Sequence, residues 1–240
     1  MRVFTGTSGF SYDGWTGAFY PEDLPASGRL AYYATKLPAV EINNTFYRMP
    51  KPELLAGWSA QVPKTFRFAL KAPQRITHIK RLKETAEEMR FLTGSARQLG
   101  ENRGPILFGL PPNLKKDLPR LDAFLALLPS DFQAAFEFRN ATWLDEEVFA
   151  LLRAAGAALC IAEDEKFVTP LVATAKWGYL RLRREDYTEA DLDSWAARVA
   201  AQDWESTYVF FKHEDEAKAP ELARTFTERL AATPSPKPAP

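Results

Sequence analysis

The sequence predicts an α/β protein folded as a single (β/α)8 TIM-type barrel, and three observations carry that reading. Strand-like and helix-like segments alternate along the chain eight times, a pattern that implies parallel strands joined by helical crossovers. The length of 240 residues matches the roughly 250 usual for one such barrel. No GxGxxG or Walker motif follows the first strand-like run, which favours a closed barrel over an open, doubly wound nucleotide-binding sheet.

The runs follow in order. VFTGTS at 3–8 precedes a helical period at 29–37, VEINNTF at 40–46 precedes one at 52–60, and FRFALKA at 66–72 precedes one at 83–98. PILFGLP at 105–111 leads to 118–128, and AAFEFRN at 134–140 leads to 145–155. ALCIAED at 158–164 is followed by 165–176, where Pro170 and several β-branched residues weaken a helix and predict a loop. GYLRLR at 178–183 precedes 189–202, and TYVFFKH at 207–213 precedes 217–231. The barrel is expected over 1–232. The proline-rich TPSPKPAP at 233–240 has nothing to pack and is expected to be a disordered tail.

Lys and Arg number 31 against 31 Asp and Glu, so no global charge favours a polyanion, although a local basic stripe is still allowed. The single Cys160 has no internal disulfide partner and lies within an apolar strand, which makes it a core residue. The opening MRVFTGTSGF lacks a charged segment followed by a cleavable apolar run. Apolar stretches fall short of the roughly 20 residues of a membrane span. A soluble, cytoplasmic protein without membrane contact is expected, its oligomeric state left open.

Because side chains alternate along a strand, Phe136 and Phe138 share one face and Glu137 and Arg139 the other. The large apolar set belongs under the helices, so the polar set points into the lumen near the carboxyl ends of the strands, where barrel enzymes place their chemistry. The same parity turns Val40, Ile42 and Phe46 outward and Glu41, Asn43 and Thr45 inward. It turns Phe66, Phe68 and Leu70 outward with Lys71 inward, and Leu180 and Leu182 outward with Tyr179, Arg181 and Arg183 inward. Lys212, Ser8 and either Glu163 or Asp164 complete the mouth. Such a cluster is an ion-pair network, a ligand site, or both. Its cations suit a small anionic ligand such as a phosphate or carboxylate, which Arg grips through paired hydrogen bonds.

Glu41 and Glu137 are candidates for a general acid and base, with Lys71 or Arg139 tuning one of them. His78, in the loop after the third strand, titrates near neutrality and is a candidate proton shuttle. Tyr12, Trp15, Phe19 and Tyr20 follow the first strand, where they either stack on a ligand or form an apolar lid, and Trp143 after the fifth strand poses the same choice. The two histidines, His78 and His213, form no HxH or HExxH spacing, and no GxSxG elbow occurs. No metal site or cofactor is expected, though carboxylates can hold a divalent cation. Two function classes follow. One is an enzyme, a hydrolase, lyase or isomerase, acting on a small anionic or sugar-like substrate; the other is a non-catalytic binder of nucleotide or nucleic acid.

The segments TSGFSYDGWTGAFYP, VEINNTFYRMP, FALKAPQRITH, GPILFGLPPNLKKD, FEFRNATW and FFKHEDEAKAPELA, in this order, resemble the YecE-like family, also called domain of unknown function 72. The resemblance runs from about Val3 to about Leu230 and implies a TIM-type barrel, without a reaction or substrate. Family-typical positions carried onto this chain are Ser8, Gly9, Tyr12, Trp15, Tyr20, Glu41, Asn43, Thr45, Phe46, Tyr47, Lys71, Thr77, His78, Glu137, Arg139 and Trp143. Tyr47 thereby joins Ser8, Tyr12, Trp15, Asn43, Thr45, Arg139, Trp143, Arg181, Arg183 and Lys212 as an expected substrate contact. The chain departs from the family in three places. Gly109 stands where the fourth strand often ends in a glutamine, AEDE where an aspartate is common, and RLRRED where His-Gly often follows strand seven.

Overall fold

The computed structural model describes residues 1–165, 167–212 and 217–233. Eight parallel strands close into a barrel in sequence order: β1 (Arg2–Ser8), β2 (Ala39–Ile42), β3 (Arg67–Lys71), β4 (Arg103–Gly109), β5 (Ala134–Glu137), β6 (Ala158–Glu163), β7 (Trp177–Leu182) and β8 (Ser206–Phe211). Closure is made by β8 against β1, with Arg2 opposite Ser206 and Thr7 opposite Phe211. The ring of helices comprises α1 (Arg29–Ala34), α2 (Asn44–Tyr47), α3 (Pro52–Ser59), α4 (Ala86–Ala96), α5 (Leu118–Leu125), α6 (Glu146–Ala154), α7 (Glu189–Ala200) and α8 (Lys218–Ala232).

Local chemistry sets the helix starts. The Asp117 and Asp145 side chains accept from the amides of Arg120 and Val148, and Thr188 with Asp191 forms a reciprocal capping box. The expected helices therefore appear with ends moved by a turn or less. Between β6 and β7 the described residues hold no helix, as Pro170 foretold. Residues 234–240 of the expected tail lie outside the described residues, as does His213.

Two apolar cores flank the strands. Val40, Phe68, Leu70, Phe108, Phe136, Phe138, Leu180, Leu182 and Phe211 pack outward beneath the helices. The lumen is filled by Ala39, Ala69, Ala135 and Ala158 on one side, with the large Tyr179, Tyr208 and Phe210 on the other. Small residues of β2, β3, β5 and β6 thus make room for the rings of β7 and β8, which is how a barrel interior reaches close packing. Cys160 is buried as expected, but in this lumen set rather than under the helices.

Two expectations at the mouth are corrected. The extended run at 40–46 stops at Ile42, and α2 follows at once. Thr45 Oγ1 donates to the Ile42 and Lys71 carbonyls, 3.1 and 2.7 Å away, so Thr45 ties the α2 turn to β3 instead of facing a ligand. Alternation ends with the strand, so Phe46 lies across Lys71 rather than under the helices.

Candidate active site at the barrel mouth

Strand parity delivers the charges. Arg181 on β7 spans the lumen between two fully buried carboxylates, donating through one terminal nitrogen to Glu41 on β2 and through the other to Glu137 on β5, each at 2.8 Å. Glu41 also accepts from Ser8 and from the Tyr179 hydroxyl, both at 2.7 Å. Glu137 accepts further from Arg183 at 2.9 Å and from both Nε and a terminal nitrogen of Arg139 at 3.3 Å. Arg183 reaches on to Asp164 at 3.4 Å. Of the two carboxylates that end β6, Asp164 therefore belongs to the mouth. Glu163 points outward and accepts from Tyr187 and Trp195.

The electrostatics follow from these contacts. Burial opposes the ionisation of Glu41, but Arg181 together with the hydrogen bonds from Tyr179 and Ser8 outweighs it and holds the carboxyl below its usual range. Burial likewise opposes ionisation of Glu137, and Arg181, Arg183 and Arg139 overcome it, holding the carboxyl well below its usual range. Both carboxylates are thus anions at neutral pH, without solvent exposure. They orient the arginines; a buried, ionised carboxylate that already accepts three hydrogen bonds, as Glu41 does, or four, as Glu137 does, is poorly placed for the acid–base exchange expected of the two. A divalent cation between them would meet the Arg181 guanidinium. Among the described residues no cluster of three metal-ligating side chains occurs.

Lys71, at the end of β3, differs. Among the described residues its ammonium has no hydrogen-bond acceptor and no ion-pair partner, and it lies over the Phe46 ring, 4.5 Å from the centroid. Burial, then the nearby Arg181, pushes its pKa down to about 8, against the pull of Glu41 and Glu137. His78 packs edge-on against the other flank of this corner, its ring 4.9 Å from that of Phe46, and its Nδ1 shares a 2.8 Å hydrogen bond with Thr77. Burial, with Arg139 and Lys71, lowers its pKa. It belongs to a π-helical turn, Arg75–Ile79, after which Arg81, Leu82 and Glu84 take left-handed backbone angles. Such angles are costly for residues with a Cβ. Glu88 anchors this strained loop by pairing with Arg75 and Lys80, each at 2.8 Å.

Gly109 closes β4 opposite Glu137 of β5, on the strand that also pairs with β3. A Cβ there would meet Glu137 Oε2 at 3.2 Å and nothing else within 4 Å, so the missing side chain leaves room in the lumen wall beside Glu137.

Several expected contacts lie elsewhere. Trp15 and Tyr20 are fully buried against Phe19, with Phe19 and Tyr20 also packed on Tyr32 of α1. Trp143 is sealed, stacking on Phe138 and donating to the Leu114 carbonyl at 2.7 Å. Both tryptophans are core, not ligand platforms. Tyr12 is half-buried and donates to the Ser8 carbonyl at 2.6 Å. Gly9, with φ of 99°, makes the turn between them, and a Cβ there would strike the Tyr12 ring. Tyr12 and Asn43 line a cavity of about 120 Å³ beside the mouth. Tyr47 projects outward with 73 % of its surface exposed. Lys212 is exposed just beyond β8. Phe46 is the contact that strand parity missed, because β2 ends before it; parity turned Tyr179 inward, as found, but did not reveal its hydrogen bond to Glu41.

The chain matches the family model described as "Protein of unknown function DUF72" over residues 4–240. It belongs to the DUF72 family. Among curated relatives, the UPF0759 protein YecE of Escherichia coli K12 is 28 % identical over 236 residues, 85 % of this chain and 86 % of the relative. The UPF0759 protein YunF of Bacillus subtilis is 28 % identical over 60 % of this chain and 57 % of its own length. A crystal structure of a DUF72 family protein from Thermotoga maritima superposes with a TM-score of 0.80 at 26 % identity, covering 96 % of this chain and all of that one. A DUF72 family protein from Enterococcus faecalis, 18 % identical with a TM-score of 0.78 over 96 % of this chain, shares the fold. No helix among the described residues of this DUF72 chain is long and apolar enough to cross a membrane.

Proposed function

We propose that this DUF72 protein is an enzyme acting on a small anionic substrate at the barrel mouth. One observation carries the reading. Glu41 and Glu137 are sealed, whereas Arg139 keeps 34 % of its side chain exposed above a Glu137 that has none, and Asp164, at the edge of the cluster, is tied to Arg183. Over Glu137, solvent therefore meets guanidinium rather than carboxylate, and Arg139 and Arg183 are held by Glu137 in an orientation suited to a phosphate or carboxylate. Proton transfer falls to Lys71, whose pKa is lowered to about 8, with His78 beside it held in its neutral form at pH 7. This favours a lyase or isomerase over two-carboxylate hydrolysis.

Thermal-shift titration with inorganic phosphate, sugar phosphates and small carboxylates tests the proposal. A ligand at a hundredfold excess over its Kd adds about 2.7 kcal/mol, roughly 5–10 °C for a chain of this size. The expected result is such a shift in the wild type and its loss in Arg139→Ala. A shift that survives Arg139→Ala, or none across the series, removes the reading. A second reading, a binder of nucleotide or nucleic acid, draws on the exposed Tyr47 ring at the rim, which is suited to stacking on a base. It requires oligonucleotide affinity that falls steeply with salt.

A further inference from the structure

We infer that the Lys71 amine is a nucleophile that forms an imine with an aldehyde or ketone bearing a carboxylate or phosphate. The inference rests on the anion-binding reading above and adds the class of substrate and the first covalent step.

Three features of the site converge on it. First, Lys71 stands apart from its neighbours at the mouth. Arg139, Arg181 and Arg183 each donate to a carboxylate, whereas among the described residues Lys71 has only the Phe46 ring. An ammonium built to hold up the fold, or to anchor Glu137, would be paired; an amine that must shed its proton and attack carbon has to be left unpaired. Second, Gly109 leaves space beside Glu137, the carboxylate that holds Arg139, and does so on β4, the strand next to the β3 that ends in Lys71, so a molecule that fills this space and meets Arg139 lies one strand away from the amine. An anionic group on Arg139 would then set a carbonyl two or three bonds away toward the amine. Third, burial first and Arg181 second suppress protonation of Lys71, and Arg181 is itself fixed by buried carboxylates, so the free amine is a property of the folded scaffold. With its pKa near 8, Lys71 carries on the order of a hundred times more free amine at pH 7 than an ordinary lysine.

The step balances without a cofactor. The neutral Nζ adds to the carbonyl carbon as the π pair moves to oxygen, giving a carbinolamine. The two protons of the amine pass to that oxygen, the C–O bond breaks and water leaves, with a C=N bond to Lys71 in its place. Protonation of this nitrogen by solvent yields an iminium, which withdraws electrons from the adjacent carbon and eases loss of a proton or cleavage of a carbon–carbon bond there. That is the chemistry of the lyase or isomerase proposed above.

The experiment is borohydride trapping on the full chain at pH 7, with glyoxylate as carboxylate aldehyde, pyridoxal 5′-phosphate as phosphate aldehyde and propionaldehyde as neutral control, followed by peptide mapping. The expected result is a reduced adduct concentrated at Lys71 with one or both anionic aldehydes and little with propionaldehyde. Which anionic probe reacts tells carboxylate from phosphate. Half-maximal labelling should need about tenfold more probe in Arg139→Ala, the loss of one charge-assisted contact. Lys71→Arg, which keeps the charge, and Lys71→Met, checked for folding by circular dichroism, should lose the adduct yet keep the thermal shift with phosphate or oxalate. Labelling spread evenly over the lysines, or equal labelling by propionaldehyde, overturns the imine while an intact anion shift leaves the binding reading standing. Absence of both adduct and shift overturns the two together.

Discussion

Where β2, β5 and β7 end, Glu41, Glu137, Arg181 and Arg183 are all paired, buried or nearly so, and braced by Ser8 and Tyr179. Where β3 ends, Lys71 has an aromatic ring for a neighbour and a strained loop beyond it. Both regions hold charge at the same height in the same barrel. They differ in whether each charge has been matched, and that difference separates a scaffold from a reactive group. A matched buried pair is costly to break because the survivor is left desolvated. An unmatched, half-buried amine costs stability while it is protonated, and the fold gains in return a base at neutral pH.

The largest expected effect comes from treating the two regions alike. Arg181→Met leaves the unexposed Glu41 without its cationic partner and takes one of three arginines from the equally unexposed Glu137, and should destabilise the protein by about 3–5 kcal/mol. Lys71→Met removes a charge that has no partner to strand, and should change stability by less than about 0.5 kcal/mol or raise it. Denaturant unfolding of both variants beside the wild type measures the gap. Equal losses would mean that Lys71 is held by the network after all, and the distinction between the two regions would break.

Titration sharpens the same contrast, with limbs at opposite ends of the pH scale. Glu41 and Glu137 have folded pKa values below the ordinary 4.5, so the folded chain binds fewer protons than the unfolded one in acid. Their stabilisation is complete above about pH 4.5 and is lost as pH falls below it. Lys71 is also depressed, from 10.5 to about 8, but here the charged form is the disfavoured one. Its penalty is full below pH 8 and is relieved as pH rises toward 10.5. The difference in unfolding free energy between wild type and Lys71→Met should therefore climb across pH 8 to 10.5 and stay flat from 5 to 7. The difference between wild type and Glu137→Gln should shrink below pH 4.5. A flat alkaline difference would return Lys71 to an ordinary amine.

The paired region was readable from sequence because it depends on strand parity alone. Glu137 and Arg139 in FEFR, and Arg181 and Arg183 in RLRR, share a face whichever partner strand they meet, and the barrel brings those faces together. The open region was less readable. Lys71 was placed correctly, but its neighbour Phe46 was not, because an Asn-Thr turn ends β2 early and parity says nothing beyond a strand's last residue. Trp15 and Trp143 misled for another reason. An aromatic residue after a strand looks the same in sequence whether it covers a ligand or fills the gap beneath a helix, and only their full burial decides. Gly109 was visible as a departure from the family, though its meaning as space beside Glu137 needed the register of β4 against β5.

The smallest effect is expected at the rim of the open region, at Tyr47. Its ring meets Phe46 edge to face at 5.2 Å, a geometry worth about 0.5–1.5 kcal/mol when both rings are buried. With 73 % of Tyr47 in water, little of that survives, so Tyr47→Ala should alter stability by no more than about 0.5 kcal/mol. Phosphate or glyoxylate affinity should likewise stay within a few-fold of wild type, because a small anion held by Arg139 and facing Lys71 does not extend to the rim. Parallel thermal-shift titrations of the variant and the wild type decide the point. Weak dependence would confine the reactive region to Lys71, Phe46 and the space over Gly109. A loss of about tenfold or more, equivalent to 1.4 kcal/mol, would mean that the open side of the mouth reaches Tyr47 and that its ligand is longer than a single carboxylate or phosphate with its carbonyl.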